Sequence, residues 1–329
     1  MASAVKRIGL LTSGGDAPGM NAVVRSVVRT AQCYDIETIG IFHGYVGLMG
    51  ANFKPLTESD VKGITGKGGT MLFTARSEEF GKPEGKRRAF ETLKHAGIDA
   101  LVVVGGDGSI TGARDLGALG VKVMGIPCTI DNDLACSTYS IGFDTACNTA
   151  IEAIDRLNDT MRSHERCSVV EVMGRRAGYL ALNVGISVGA TLTLIPEVKI
   201  DFERDVIERI RTARFAGRRS FTVVVAEGTD PAYVVAEKIQ EATGLDTRVT
   251  TLGHVQRGGP PLLRDRVIAT EMGYKAVKLL AEGKSGRVIA VNGEECVDYD
   301  ITEALAMTKD FDYERYKMFS RLTFLEKEV

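Results

Sequence analysis

The stretch ALVVVGGDGS, Ala100 to Ser109, decides the fold. Its first five residues are all apolar and three of them are valine. That composition reads as a strand buried on both faces, the habit of a parallel sheet covered by helices. Two glycines end the run, and a helix opens after them. Glycine lets backbone N–H groups approach a phosphate without a Cβ in the way, and a helix N-terminus favours anions. Asp107 among phosphates is unfavourable unless a cation mediates, and Mg²⁺ held by one carboxylate plus substrate phosphates is the usual arrangement. The competing reading is a plain strand-to-helix turn with Asp107 as its N-cap.

Outward from this stretch the pattern repeats. RIGLLT (7–12), TIGIF (38–42), VKVMGI (121–126), SVVEV (168–172) and FTVVVA (221–226) read as further strands. Helical patterns cover 21–32, 86–96, 145–161, 204–214, 232–242 and 266–281. Strand–helix alternation of this kind predicts doubly wound, mainly parallel α/β architecture. At 329 residues the chain exceeds one ordinary hydrophobic core, so two lobes are expected. No low-complexity linker separates them; the turn-rich 137–142 and the GGPP at 258–261 are the candidate crossings. Ligands in such sheets sit beyond the carboxyl ends of the strands.

Composition excludes several classes. Forty-one Lys and Arg against 43 Asp and Glu give a formal charge of -2, so no global basic field holds nucleic acid. No stretch is apolar and long enough to cross a bilayer, and the start lacks a signal-peptide core. Six scattered cysteines without C-x-x-C spacing read as reduced packing residues, and a cytoplasmic location follows.

Other turns repeat the chemistry of GGDGS. TIDND (129–133) follows a strand and Pro127, with two carboxylates at spacing two; one can accept a hydroxyl proton while the other orients a neighbour. An Asp/Asn turn bonding its own backbone is the alternative. TSGGD (12–16) is another glycine turn after a strand. MGRRAG (173–178) places two arginines at a helix start, and guanidinium forks suit phosphoryl oxygens. GHVQRGG (253–259) pairs His254 with Arg257. Five phosphate-compatible turns in one chain read as phosphoryl transfer, which asks of a protein mainly positioning and charge neutralisation. There is no G-x-x-x-x-G-K-[ST], and GGDGSITG lacks dinucleotide spacing. GISVG (185–189) matches a nucleophile elbow but follows a helix, so Ser187 reads as a helix-exit turn.

LTSGGDAPGMNA, GGDGS, the proline before TIDND, EVMGR and LGHVQRGG, in this order, resemble the bacterial ATP-dependent 6-phosphofructokinases from about Arg7 to beyond Leu280. The resemblance implies two α/β lobes with the active site between them: a nucleotide-binding lobe of 1–140 plus 258–304, and a sugar-phosphate lobe of 141–257 plus 305–329. It implies transfer of the γ-phosphate of Mg-ATP to the 1-hydroxyl of fructose 6-phosphate, a step of glycolysis. A homotetramer with active sites shared between subunits follows, with neither nucleic acid nor membrane as partner. Gly15 and Tyr45 would lie near the transferred phosphate. Arg76, Ser77, Gly106, Asp107, Gly108 and Ser109 would line the nucleotide, Asp107 also holding Mg²⁺. Thr129 and Asp131 would meet the sugar's reacting end, Asp131 as general base supported by Asp133. Met173, Gly174 and Arg175 would form the substrate loop, with Arg175 steadying the moving phosphoryl group. Glu227 would bind the sugar; His254 and Arg257 would hold the 6-phosphate, joined by Arg166 and Arg248 of a neighbouring subunit.

Departures from the family matter too. Pyrophosphate-using members carry Asp where Gly108 stands and Lys where Cys128 stands, so Gly108 points to ATP. Ser77 replaces an aromatic residue. Arg25, Arg29, Arg156, Arg218 and Arg219 match the family's regulatory site, yet Glu58, Gly63 and Thr191 replace an arginine, an aspartate and a glutamate. Glu58 should repel an anion, which predicts a weak or altered response to ADP and phosphoenolpyruvate. The alternatives are a pyrophosphate-dependent enzyme and a catalytically silent nucleotide-sensing subunit.

Overall fold

A computed structural model describes residues 5–324. Its elements are β1 (Arg7–Ser13), α1 (Met20–Cys33), β2 (Glu37–Ile41), α2 (Gly44–Met49), β3 (Phe53–Leu56), α3 (Pro83–His95), β4 (Ala100–Gly105), α4 (Asp107–Ala118), β5 (Lys122–Pro127) and α5 (Phe143–Ser163). They continue with β6 (Cys167–Val172), α6 (Tyr179–Ser187), β7 (Leu192–Leu194), α7 (Glu208–Phe215), β8 (Phe221–Ala226), α8 (Ala232–Thr243) and β9 (Thr247–Thr251). The last are α9 (Leu263–Ala281), β10 (Arg287–Asn292), β11 (Glu295–Asp300), α10 (Ile301–Ala306) and α11 (Tyr313–Phe324).

The chain forms two compact units. One runs to Thr145 and resumes over Arg257–Lys309; the other holds Ala146–Gln256 and continues from Asp310. The chain therefore crosses three times, at Thr145, Gln256 and Lys309.

The first unit carries a seven-stranded sheet in the order β11-β10-β5-β4-β1-β2-β3. Its five inner strands are parallel, and the two outermost, β3 and β11, pair antiparallel. All six residues of β4 are buried, as its apolar run requires. Leu101 and Val103 pack with Leu11, Ile41, Ile110, Leu116 and Val123 on one side of the sheet. Each fully buried aliphatic side chain of this size contributes about 1.5–3 kcal/mol. The second unit carries an all-parallel four-stranded sheet, β7-β8-β6-β9. Val169, Val223, Val225 and Phe221 pack against Val206, Ile210 and Val235 beneath it. The expected mixed α/β, mainly parallel architecture is the one observed.

Some elements differ from expectation. The helix expected over 204–214 starts as a π-helical turn, Glu203–Ile207, before α7. Arg175 and Arg176 lie in a turn ahead of α6 rather than in its first residues. Ser187 ends α6, its hydroxyl donating back to the Asn183 carbonyl at 2.8 Å, as a helix-exit residue should. None of the six cysteines is in a disulfide, and four of them, Cys128, Cys136, Cys147 and Cys167, are buried.

Candidate active site

In the first unit β5, β4 and β1 are parallel neighbours, so the turns leaving their carboxyl ends emerge side by side. These turns are Thr129–Asp133, Gly106–Ser109 and Gly14–Asp16. A Cβ on Gly106 would sit 3.9 Å from that of Thr129, and one on Gly14 would sit 3.4 Å from the Ser109 hydroxyl. The three glycine and carboxylate motifs are thus one locus.

Asp107 opens α4 and is exposed; Gly106 occupies the N-cap position, and no side chain caps the helix. The capping role that competed for Asp107 is therefore not the one it plays. Its carboxylate projects from a helix N-terminus, where the backbone dipole already favours anions. The space beside Gly108 is open, with nothing within 4 Å of where its Cβ would stand. Among the described residues no three His, Cys, Asp or Glu side chains cluster as a metal cage. A single exposed carboxylate next to a phosphate-compatible turn fits Mg²⁺, which keeps much of its shell for water and substrate phosphates.

Asp131 is 2% exposed, whereas Asp133 is exposed. The Asp131 N–H donates to the Thr129 hydroxyl at 3.2 Å, and Asn132 adopts φ 51°, so the backbone reverses at the carboxylate. Thr129 N–H donates to the Ile141 carbonyl at 3.0 Å, and Ser140 N–H donates to Asn132 Oδ1 at 2.9 Å. The segment 140–141 therefore props both flanks of Asp131.

Tyr45 is buried. Its ring stacks on Phe80, 3.8 Å between centroids, and its hydroxyl donates to the Ser109 carbonyl at 2.6 Å. Burial pushes that phenol well above its usual range. Thr74 donates to the Gly14 carbonyl at 2.7 Å and Thr12 to the Phe73 carbonyl at 2.9 Å, tying the segment that carries exposed Arg76 to the β1 turn. The Ser77 hydroxyl accepts from Phe80 N–H at 3.0 Å. Any side chain at Gly15 would collide with the Arg257 guanidinium, which donates to the Asp16 carbonyl at 3.0 Å.

In the second unit Met173, Gly174 and Arg175 follow β6. Gly174 has φ 132°, a value that favours glycine, and Arg175 has φ 56°. Arg175 N–H donates to Glu227 Oε1 at 2.6 Å, and Met173 N–H donates to Gln256 Oε1 at 3.0 Å. Glu227 follows β8, and exposed His254 follows β9, so the loop, Glu227 and His254 share the carboxyl edge of one sheet. Arg166 and Arg248 stand at the opposite edge: both pair with Asp246, at 2.5 and 3.0 Å. Five steps of strand separate the two ends of β6, roughly 16 Å at about 3.3 Å per residue. The two sets therefore stand at opposite ends of the strands.

Of the regulatory candidates, Arg29 is ion-paired to Glu58 in the first unit, where Arg25 lies one helical turn away on α1. In the second unit Arg218 donates to the Thr191 hydroxyl at 3.2 Å, and Arg219 pairs with Glu165 at 2.8 Å. Arg156 lies on α5 in the same unit.

The phosphofructokinase family model matches residues 7–280. The chain belongs to the phosphofructokinase family. It is 50% identical over 319 residues to the ATP-dependent 6-phosphofructokinases of Bacillus cytotoxicus and Bacillus thuringiensis, covering 97% of this chain and all of theirs. The solved phosphofructokinase of Saccharomyces cerevisiae superposes with a TM-score of 0.90 at 35% identity, over 97% of this chain; this chain spans half of that longer one. A pyrophosphate-dependent phosphofructokinase from Marinobacter aquaeolei superposes at 0.83 with 19% identity, a likeness of fold alone.

Within this phosphofructokinase two residues escaped the sequence reading. Buried Gln256 sits between His254 and Arg257, and its amide holds the Met173 loop. Lys309 donates to the Asn132 carbonyl at 2.6 Å and the Ser137 carbonyl at 3.2 Å, and burial draws its ammonium below the usual range. Gln256 was legible, being inside a motif already quoted; Lys309, nearly 180 positions downstream of the turn it grips, was not.

Proposed function

We propose that this chain is an ATP-dependent 6-phosphofructokinase, moving the γ-phosphate of Mg-ATP to the 1-hydroxyl of fructose 6-phosphate. The observation that carries the reading is the convergence of three turns at neighbouring strand ends, one bearing exposed, uncapped Asp107 and one bearing buried Asp131. Asp131 takes the proton of the 1-hydroxyl as that oxygen attacks the γ-phosphorus, and ADP leaves; Thr129 meets the sugar's reacting end with it, and Asp133 supports Asp131. Gly15 N–H, Arg76, and the Gly106–Ser109 backbone cradle the polyphosphate, with Ser77 and Tyr45 bordering it. Asp107 would hold Mg²⁺, which would supply charge neutralisation at the phosphates. Arg175 steadies charge on the transferring group, Met173, Gly174 and Glu227 orient the sugar, and His254 and Arg257 grip the 6-phosphate.

Arg166 and Arg248 serve the site of a neighbouring copy, which makes the working enzyme a homo-oligomer, a tetramer by the family's habit. What supports this is their position at the far edge of the sheet from Met173, Glu227 and His254. The first unit is then the nucleotide side and the second the sugar-phosphate side, in the cytoplasm. Open space at Gly108 supports ATP over pyrophosphate as donor. The Arg29–Glu58 pair supports a blunted regulatory site, because the guanidinium an effector phosphate would need already has a carboxylate. Turnover with ATP and with pyrophosphate at equal fructose 6-phosphate tests the reading: ATP should support it and pyrophosphate should not.

A further inference from the structure

Asp265, in the first turn of α9, is 0% exposed. A buried carboxylate is costly unless it is fully hydrogen-bonded. Its Oδ1 accepts from the Tyr139 hydroxyl at 2.5 Å and from Gly142 N–H at 2.6 Å. Its Oδ2 accepts from Thr145 N–H at 2.9 Å and from the Thr145 hydroxyl at 2.5 Å. The Thr145 hydroxyl in turn accepts from Leu262 N–H at 2.9 Å, and the neighbouring Arg264 guanidinium lies 4.2 Å over the Tyr139 ring. Every donor to Asp265 thus comes from 139–145, the segment whose Ser140 and Ile141 hold Asn132 and Thr129 on either side of Asp131. Two layers of hydrogen bonds lead from α9 to the residues on either side of Asp131, and the end of the first layer, Thr145, is also where the chain leaves the unit.

Resting on the function proposed above, we infer that Asp265 is a positioning residue for Asp131: it fixes the 139–145 segment and, through it, the direction of the Asp131 carboxylate. An asparagine at 265 keeps the shape but supplies one acceptor oxygen and an NH₂ where two oxygens now receive four donors. At least one backbone N–H then faces a donor, and the segment must shift. A displacement of about 1 Å at a reacting group is enough to slow chemistry while leaving ligand contacts in place.

The test is a double-mutant cycle on the full-length chain, with kcat and both KM values measured for the unaltered protein, Asp265→Asn, Asp131→Asn and the pair. Asp265→Asn is expected to lower kcat at least tenfold while KM for ATP changes less than about twofold. In the Asp131→Asn background the same change should cost less than about threefold, because the group it positions is already gone. Tyr139→Phe removes one donor and keeps the ring, so it supplies the same cycle should Asp265→Asn fold poorly; a kcat loss of about three- to tenfold, again absent without Asp131, is expected. Equal losses in both backgrounds, or an unchanged kcat, overturn the inference. An unaltered chain without ATP-driven turnover of fructose 6-phosphate overturns the proposed function itself, and the inference with it.

Discussion

On the proposed function, Asp131 is where the chemistry narrows to one atom. It is buried in a turn whose backbone reverses at Asn132. Replacing it with asparagine keeps shape and hydrogen-bonding capacity yet removes the proton acceptor. Turnover in Asp131→Asn is expected to fall by about 10² or more, with KM for both substrates little changed; steady-state kinetics check this. Asp107 differs in kind, since it is exposed and contributes nothing to packing. On the proposed function a chelator should therefore abolish turnover while leaving the thermal unfolding midpoint where it was, which parallel activity and calorimetric measurements read directly.

Element packing explains some glycines that no phosphate requires. Gly112 lies inside α4, and a Cβ there would stand 2.7 Å from Phe80 Cε1 and 2.8 Å from the Tyr45 hydroxyl. Helix propensity alone favours alanine over glycine by about 1 kcal/mol. The stacked Tyr45–Phe80 pair leaves no room, and overpacking costs about 1–3 kcal/mol. Gly112→Ala is expected to be net destabilising by urea denaturation, with kcat also reduced because Tyr45 holds the Ser109 carbonyl. The same scale shows what could be read from the chain. Strands β1, β2, β4, β5, β6 and β8 announce themselves as apolar runs because both faces are covered. Edge strand β9, TRVTT, does not: three of its five residues are exposed, so its sequence is polar. Hairpin partner β11, half-exposed along most of its length, carries no apolar run either. At the site, glycine turns and TIDND were legible because their chemistry is local. The supports beneath them, Asp265 and Lys309, act from more than a hundred positions away and look like ordinary surface charges in the sequence.

For the whole molecule, the proposed reading, in which Arg166 and Arg248 serve a neighbouring copy, makes activity a property of the assembly. Arg166→Ala and Asp131→Asn chains, each weak alone, should regain part of the activity when co-refolded. Each mixed site can then draw an intact Asp131 from one chain and an intact Arg166 from the other. No recovery would separate the arginines from the neighbour's site. Regulation also belongs here: with Arg29 engaged by Glu58, micromolar ADP should leave the fructose 6-phosphate saturation curve almost where it was. The Asp246 carboxylate has a last consequence. Because it already answers both guanidinium groups, an anion reaching Arg166 and Arg248 must compete with an attached carboxylate for the same donors.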